Sequence, residues 1–450
     1  MTWVAAASVA IGATPAWAHG IGGRRDLPVP EWLFVFGAMT ALIVSFAALS
    51  TLWREPRFEH RAERPARDSW IQRVLTNRTL QWIVRIAALL FFLIVASASS
   101  MRAGPRDTIG PIVVFDWFWV GLPILSAIVG DVWATLSPFD TIGRLLALDD
   151  DEGRTPRPYP ASWGLWPAAI QLFLFVWIEL VDPFGGLAGS LGIVIVAYTL
   201  VQIAGMHVFG RRAWIEHAEA FSVYLGLIAR IAPFARDEKG RVTLRPPLAG
   251  LARVPPRPGL LAVVMVGLGS TTYDGASRSQ WWVTWTAGVG GLARPIVFTA
   301  GLIAVIGLVI MAYVVAMLAA ARVADRDWHP LAVRFAPSIV PIVLAYVIAH
   351  YFSFLLLEGQ IGLIRLSDPF GQGWDLFGTA DWAVNYVLLT PELIWYVQVA
   401  AIVIGHVGGV ILAHDRAIAS FEPSVAVRTQ YALLAVMVLF TATGLLILSG

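Results

Sequence analysis

Ten apolar runs divide this chain, and nearly all are long enough to cross about 30 Å of hydrocarbon as helices. They cover Trp32–Trp53, Gln81–Ser99, Ile112–Leu136, Leu165–Val181, Leu187–Phe209, Gly259–Tyr273, Ile296–Leu318, Ser338–Leu357, Leu393–Leu412 and Tyr431–Leu448. The sixth is short and runs into polar GSTTYDG, so its boundary is the least defined. Of the 450 residues, 58% are hydrophobic and 14% charged, with a mean hydropathy of +0.70. That is too little charge to cover a soluble surface of this size. The expected fold class is all-α, a polytopic transmembrane helix bundle of about ten spans, and the bilayer is its expected partner.

The basic residues test that count. Of 32, all but Lys239 are arginines. With the mature N-terminus outside, the connectors on the cytoplasmic side hold 25 of them and the external ones hold 7. This is the bias of the positive-inside rule, and adding or dropping one span would scramble it. An even number of spans then puts both mature termini on the extracytoplasmic side of a bacterial cytoplasmic membrane. Arginines sorted by membrane side do not form a nucleic-acid surface, so no nucleic acid is expected as a partner. There are no cysteines. Disulfides, thiolate nucleophiles, cysteine-ligated zinc and iron–sulfur clusters are therefore excluded.

Residues 1–18 read as a secretory signal peptide with a short apolar core, and Ala16-Trp17-Ala18 gives the small-x-small cleavage pattern. Cleavage there leaves His19 first, and a terminal histidine can chelate copper through its amine and ring together. The plain alternative is that His19 merely follows a processing site. The remaining 19–450 form a single transmembrane helical domain. Within it, 211–234 starts too polar to span and reads as an amphipathic helix lying along the inner face. The connector 358–392 lies outside and holds five acids against a single Arg365. Its SDPFGQG echoes VDPFGG after the fourth run, and in both Asp-Pro-Phe-Gly suits a helix stop followed by a tight turn. Trp281, Trp282 and Trp285 read as interfacial anchors.

Titratable groups in hydrocarbon are costly and raise a functional question by default. At roughly 1.5 Å per helical residue, Asp116 lies about 6 Å below the outer surface and His350 about 10 Å, with Tyr351 beside it. Glu179 and Asp274 end their runs on the same side. Above them stand Glu358, Asp368 and Asp375. His406 lies about 20 Å from the outer face, too far from His350 to share one ion. The expected site is therefore an outer metal centre of His350 with one or more of Asp116, Glu358, Asp368 and Asp375, and with His19. Its nitrogen and oxygen donors suit zinc, manganese or copper, which could activate a bound water and polarise a phosphoryl oxygen. Each residue also has a plain use: a buried imidazole bonded between helices, a solvated loop acid, or, for His406, close helix packing beside Gly405, Gly408 and Gly409.

Several stretches together resemble a known family. They are HGIGGRRDLPVPEW, RRAWIEHAEAFSVYLGLIARIAPF, GSTTYDG, AHYFSFLLLEGQ, SDPFGQGWDLFG and GHVGGVILAH. The chain resembles the bacterial multi-pass proteins named fenitrothion hydrolase, membrane-bound organophosphorus hydrolases, over nearly its whole mature length. The resemblance implies cleavage of an apolar phosphorothioate triester to a nitrophenol and a dialkyl thiophosphate. It supplies no catalytic motif. Two other readings stand beside it: a copper- or haem-handling protein or transporter using His19, His350 and His406, and a membrane subunit or assembly scaffold without chemistry.

Overall fold

A computed structural model describes residues 30–449 apart from 60–63, 66–71, 74–75, 102–105, 150–155, 182–188 and 238–239. The expected signal peptide and His19 lie outside the described residues. Among the described residues eight helices are long and apolar enough to cross a membrane. In chain order the elements needed here are α1 (Glu31–Leu52), α2 (Arg78–Ser99), α3 (Ile109–Val129), α4 (Pro138–Leu145), α5 (Trp166–Leu180), α6 (Ser190–Phe209), α7 (Arg211–His217) and α8 (Ala220–Ala229). They continue with α9 (Leu260–Ala276), α10 (Ala293–Ala324), α11 (Val340–Leu357), α12 (Gly359–Arg365), α13 (Pro391–Ser420) and α14 (Tyr431–Ser449). Each of the ten apolar runs contains a helix. Two of them, α5 with 15 residues and α9 with 17, fall short of the length that spans hydrocarbon unaided.

The bundle is layered by burial. In the stretch containing α11, 67% of the apolar window is buried, against 17% for α1 and for α2. So α11 is the central helix, packed on α3, α9, α12 and α13, while α1 and α2 lie at the periphery. Small residues set the closest approach. A Cβ on Gly405 of α13 would stand 2.7 Å from the Pro341 carbonyl oxygen, and one on Gly409 would stand 2.9 Å from that of Ser338. Glycine at these positions lets two backbones touch, which is how helices associate where water supplies no driving force.

The polar GSTTYDG does not end α9. Ser270 and Thr271 donate to the Gly267 carbonyl at 3.2 Å, and Thr272 donates to Leu268 at 2.8 Å. The hydroxyls are satisfied within the helix, which therefore continues to Ala276 and carries Asp274 into the bundle. Residues 211–234, expected as one amphipathic surface helix, are two helices broken at Ala218-Glu219. The cause is Glu219, which is fully buried. It accepts from the backbone N–H of Phe221 and Ser222 as the cap of α8, from Tyr198 Oη at 2.6 Å and from Trp133 Nε1 at 3.2 Å. A carboxylate so held draws α8 into the interior rather than leaving it along a surface.

The basic end of the bundle, opposite the 358–392 connector, is tied by buried acids. Asp140 on α4 accepts from Arg85 of α2 at 2.6 Å, from Arg144 at 2.9 Å and from Arg211 of α7. Asp415 of α13 accepts from Trp53 Nε1 and from the backbone N–H of Arg57 and Phe58. A small antiparallel sheet, β1 (Arg64–Pro65), β2 (Phe234–Arg236) and β3 (Val242–Leu244) in the order β1-β3-β2, closes this end. Burial pushes the Asp140 carboxyl up, but the charges of Arg211, Arg144 and Arg85 outweigh it and hold the group below its ordinary value. A depressed carboxyl contributes stability at neutral pH that is lost as pH falls through the depressed value. Asp140→Asn is expected to leave the buried Arg85 guanidinium without its carboxylate and to loosen Arg211, which keeps Asp149, and to cost about 3–5 kcal/mol. Thermal denaturation in detergent from pH 7 to 3 checks it: the wild type should lose its advantage over the variant only at the acid end.

Candidate functional site

Near the connector end, α9 and α11 bring Asp274, His350 and Tyr351 together. Asp274 is 1% exposed. Its Oδ2 accepts from Tyr351 Oη at 2.7 Å and lies 2.7 Å from His350 Nε2, while its Oδ1 accepts from Arg278 at 3.0 Å. An ionised carboxylate has only acceptors, so the facing His350 nitrogen is the one that carries the proton. The neighbouring Glu179, at the end of α5, has one buried oxygen without a hydrogen-bond partner among the described residues. Trp119 of α3 hydrogen-bonds its side chain, and the charges of Asp274 and Arg278 act on it. Two carboxylates, one imidazole and one guanidinium thus share a small apolar volume. The acid bonded to His350 is Asp274, and not Asp116, Glu358, Asp368 or Asp375.

His350 also lines a cavity of about 20 Å³ with Thr271, Thr272, Tyr346 and Ile402. That is room for about one water. Tyr346 and Ile402 in turn border His406, whose Nδ1 lies 2.8 Å from the Ile402 carbonyl and whose ring centroid is 6.1 Å from that of Tyr346. His406 is fully buried, and its Nε2 has no partner among the described residues. An enclosed ring of this kind presents no open face to a haem iron.

Asp116 occupies a different environment. It sits in a π-helical segment of α3, Val113–Gly121, with Pro111 and Pro123 on either side. Proline lacks the N–H of a regular turn, and π segments inside helices are frequent at functional sites. Asp116 is fully buried with both carboxylate oxygens unpartnered among the described residues. Gly359 makes room for it, since a Cβ there would stand 2.9 Å from Asp116 Oδ2. Beside it Trp117 Nε1 donates to the Gly359 carbonyl at 3.2 Å and docks α3 on α12.

The other expected ligands have structural duties. Glu358 pairs with Arg106 at 2.7 Å. Asp368 accepts from the backbone N–H of Gln372 at 2.8 Å and Gly373 at 2.7 Å. Burial opposes its ionisation, but those N–H groups, that of Trp374 and the charge of Arg365 hold its carboxyl below the ordinary value. Asp375 accepts from Ala380 N–H at 3.0 Å. Gly371, Gly373 and Gly378 have φ of +67°, +82° and +70°, so SDPFGQGWDLFG is a self-bonded turn. Among the described residues no group of three or more His, Asp or Glu side chains is placed to hold one ion. The expected ligands that the structure describes thus stand apart from one another, and His19 lies outside the described residues. Glu179 and Arg278 are the members that the sequence did not assign to the site, though both stand near the ends of their helices at the connector end.

Tyr351→Phe removes one hydrogen bond to a buried charge and is expected to cost about 1.5–3 kcal/mol. Asp116→Asn should behave oppositely, leaving the melting temperature unchanged or higher, because no donor is lost. Paired melting curves of the two variants decide both. No protein-family model, no curated protein and no solved structure matches this chain.

Proposed function

We propose that this chain is a multi-pass protein of the bacterial cytoplasmic membrane that transfers protons through its helix bundle, as part of proton-coupled transport. One observation carries the reading: a buried Asp274 carboxylate bonded to His350, beside a second, half-buried acid, Glu179, with one buried oxygen that has no hydrogen-bond partner among the described residues. Ionisable groups buried among apolar helices mark proton relays and ion pathways. An imidazole near neutrality exchanges protons readily, and the carboxylate fixes its orientation. The water-sized cavity supplies the next carrier, and His406 lies beyond Tyr346 and Ile402. In this reading all ten apolar runs cross, α5 and α9 with help from flanking residues, both mature termini lie outside, and residues 1–18 are a cleaved signal peptide.

Hydrolysis of an organophosphorus triester is the second reading. It draws on the fenitrothion hydrolase resemblance and on His350, which a carboxylate orients as it would a general base. The 20 Å³ cavity admits a water but not a triester, so this activity requires a more open bundle.

The test is proton uptake by liposomes containing the purified protein and a trapped pH dye, under an imposed potential. Asp274→Asn and His350→Gln should each lower uptake at least tenfold while the protein still elutes as a folded species. Uptake at the wild-type rate in both variants would sink the proton reading. Release of nitrophenol from an aryl phosphotriester, abolished by His350→Gln, would establish the second.

A further inference from the structure

At the basic end a cavity of about 1730 Å³ opens between α2, the end of α3, α8 and the β2–β3 hairpin. Its chemistry is divided. One wall is apolar, with Leu80 and Val84 from α2, and Val223 and Leu227 from α8. Leu80 is 37% exposed, so this wall reaches the outer surface of the bundle. The other wall is cationic. Seven arginines stand among the described lining residues, against two carboxylates, Asp131 and Glu216.

The arginines are held in place. Asp140 and Asp149, behind the wall, engage Arg144, Arg211 and Arg212. Arg257 pairs with Glu216 at 2.9 Å. Arg245 donates to the carbonyls of Ala229 and Ala232, and Arg230 to that of Gly250, at 3.1 to 3.5 Å. Asp131, one of the two lining carboxylates, acts by its charge on Arg236 and Arg230. The result is a preset cationic rim beside an apolar channel, at the depth where the α2 apolar run begins.

We propose that this cavity binds an anionic phospholipid, with the phosphate among Arg230, Arg236 and Arg245 and an acyl chain along the Leu80–Leu227 wall. Charge complementarity selects the headgroup, and basic pockets between membrane helices are suited to such lipids. The volume exceeds that of a site for a drug-sized molecule and leaves room for headgroup and chain together. This proposal is independent of the proton site, which lies at the opposite end.

Gly226 provides the decisive variant. It lines the cavity, and a Cβ built on it meets nothing within 4 Å. Gly226→Leu therefore brings a side chain into the cavity from within α8, with its Cβ in open space. The full-length protein in detergent is titrated with dioleoylphosphatidylglycerol, with dioleoylphosphatidylcholine and with inorganic phosphate, and binding is read from the melting temperature and from native mass spectrometry. The anionic lipid should bind about tenfold more tightly than the zwitterionic one, and Arg236→Gln should weaken it about fivefold, the worth of one charge near a lipid surface. Gly226→Leu should lose binding with its lipid-free melting temperature preserved. Equal affinity for the two lipids, wild-type binding by Gly226→Leu, or a full response to inorganic phosphate alone would each overturn the proposal.

Discussion

A carboxylate taken out of water must collect donors or forfeit its charge, and this requirement organises the bundle more than any single apolar contact. Asp140 gathers arginines from α2, α4 and α7. Glu219 gathers an indole, a phenol and the start of α8. Asp415 gathers the segment after α1, and Asp274 gathers α11 and Arg278. Apolar packing against lipid is nearly direction-free, because a leucine is as well satisfied by an acyl chain as by a neighbouring helix. The buried acids add the directionality that packing lacks. Asp116 stands out because no donor reaches either of its oxygens among the described residues.

Much of the helical content was legible because hydropathy over a twenty-residue window is a strong signal. It failed where side-chain hydrogen bonding overrode composition. Ser270, Thr271 and Thr272 look like the end of a span, yet they bond back to their own helix and extend it. Glu219 looks like the polar face of a surface helix, yet donors from two other helical segments bury it. Neither outcome can be read from hydropathy, since both depend on which groups lie within hydrogen-bonding distance.

The site was legible by residue type and depth but not by pairing. His350, Tyr351 and Asp116 stood out as polar groups inside apolar runs, and Asp274 as one at the end of a run. Which of them meet is a matter of helix neighbours, which one sequence does not specify. The acids of SDPFGQGWDLFG drew attention as ligands because they are dense. Their density serves turns with positive φ, where Asp368 and Asp375 replace missing backbone partners.

The indole of Trp53 and the carboxylate of Asp415 are 362 residues apart in sequence, yet they bond at 3.0 Å, and α1 packs on α13 and α14. A ribosome delivers these elements at opposite ends of synthesis. The first helix must therefore wait in the lipid, largely without its final neighbours, until nearly the whole chain has been made. Closure of the bundle belongs to the end of biogenesis, and a truncation that spares the central helices but removes α13 would strand the first helix as well as the last.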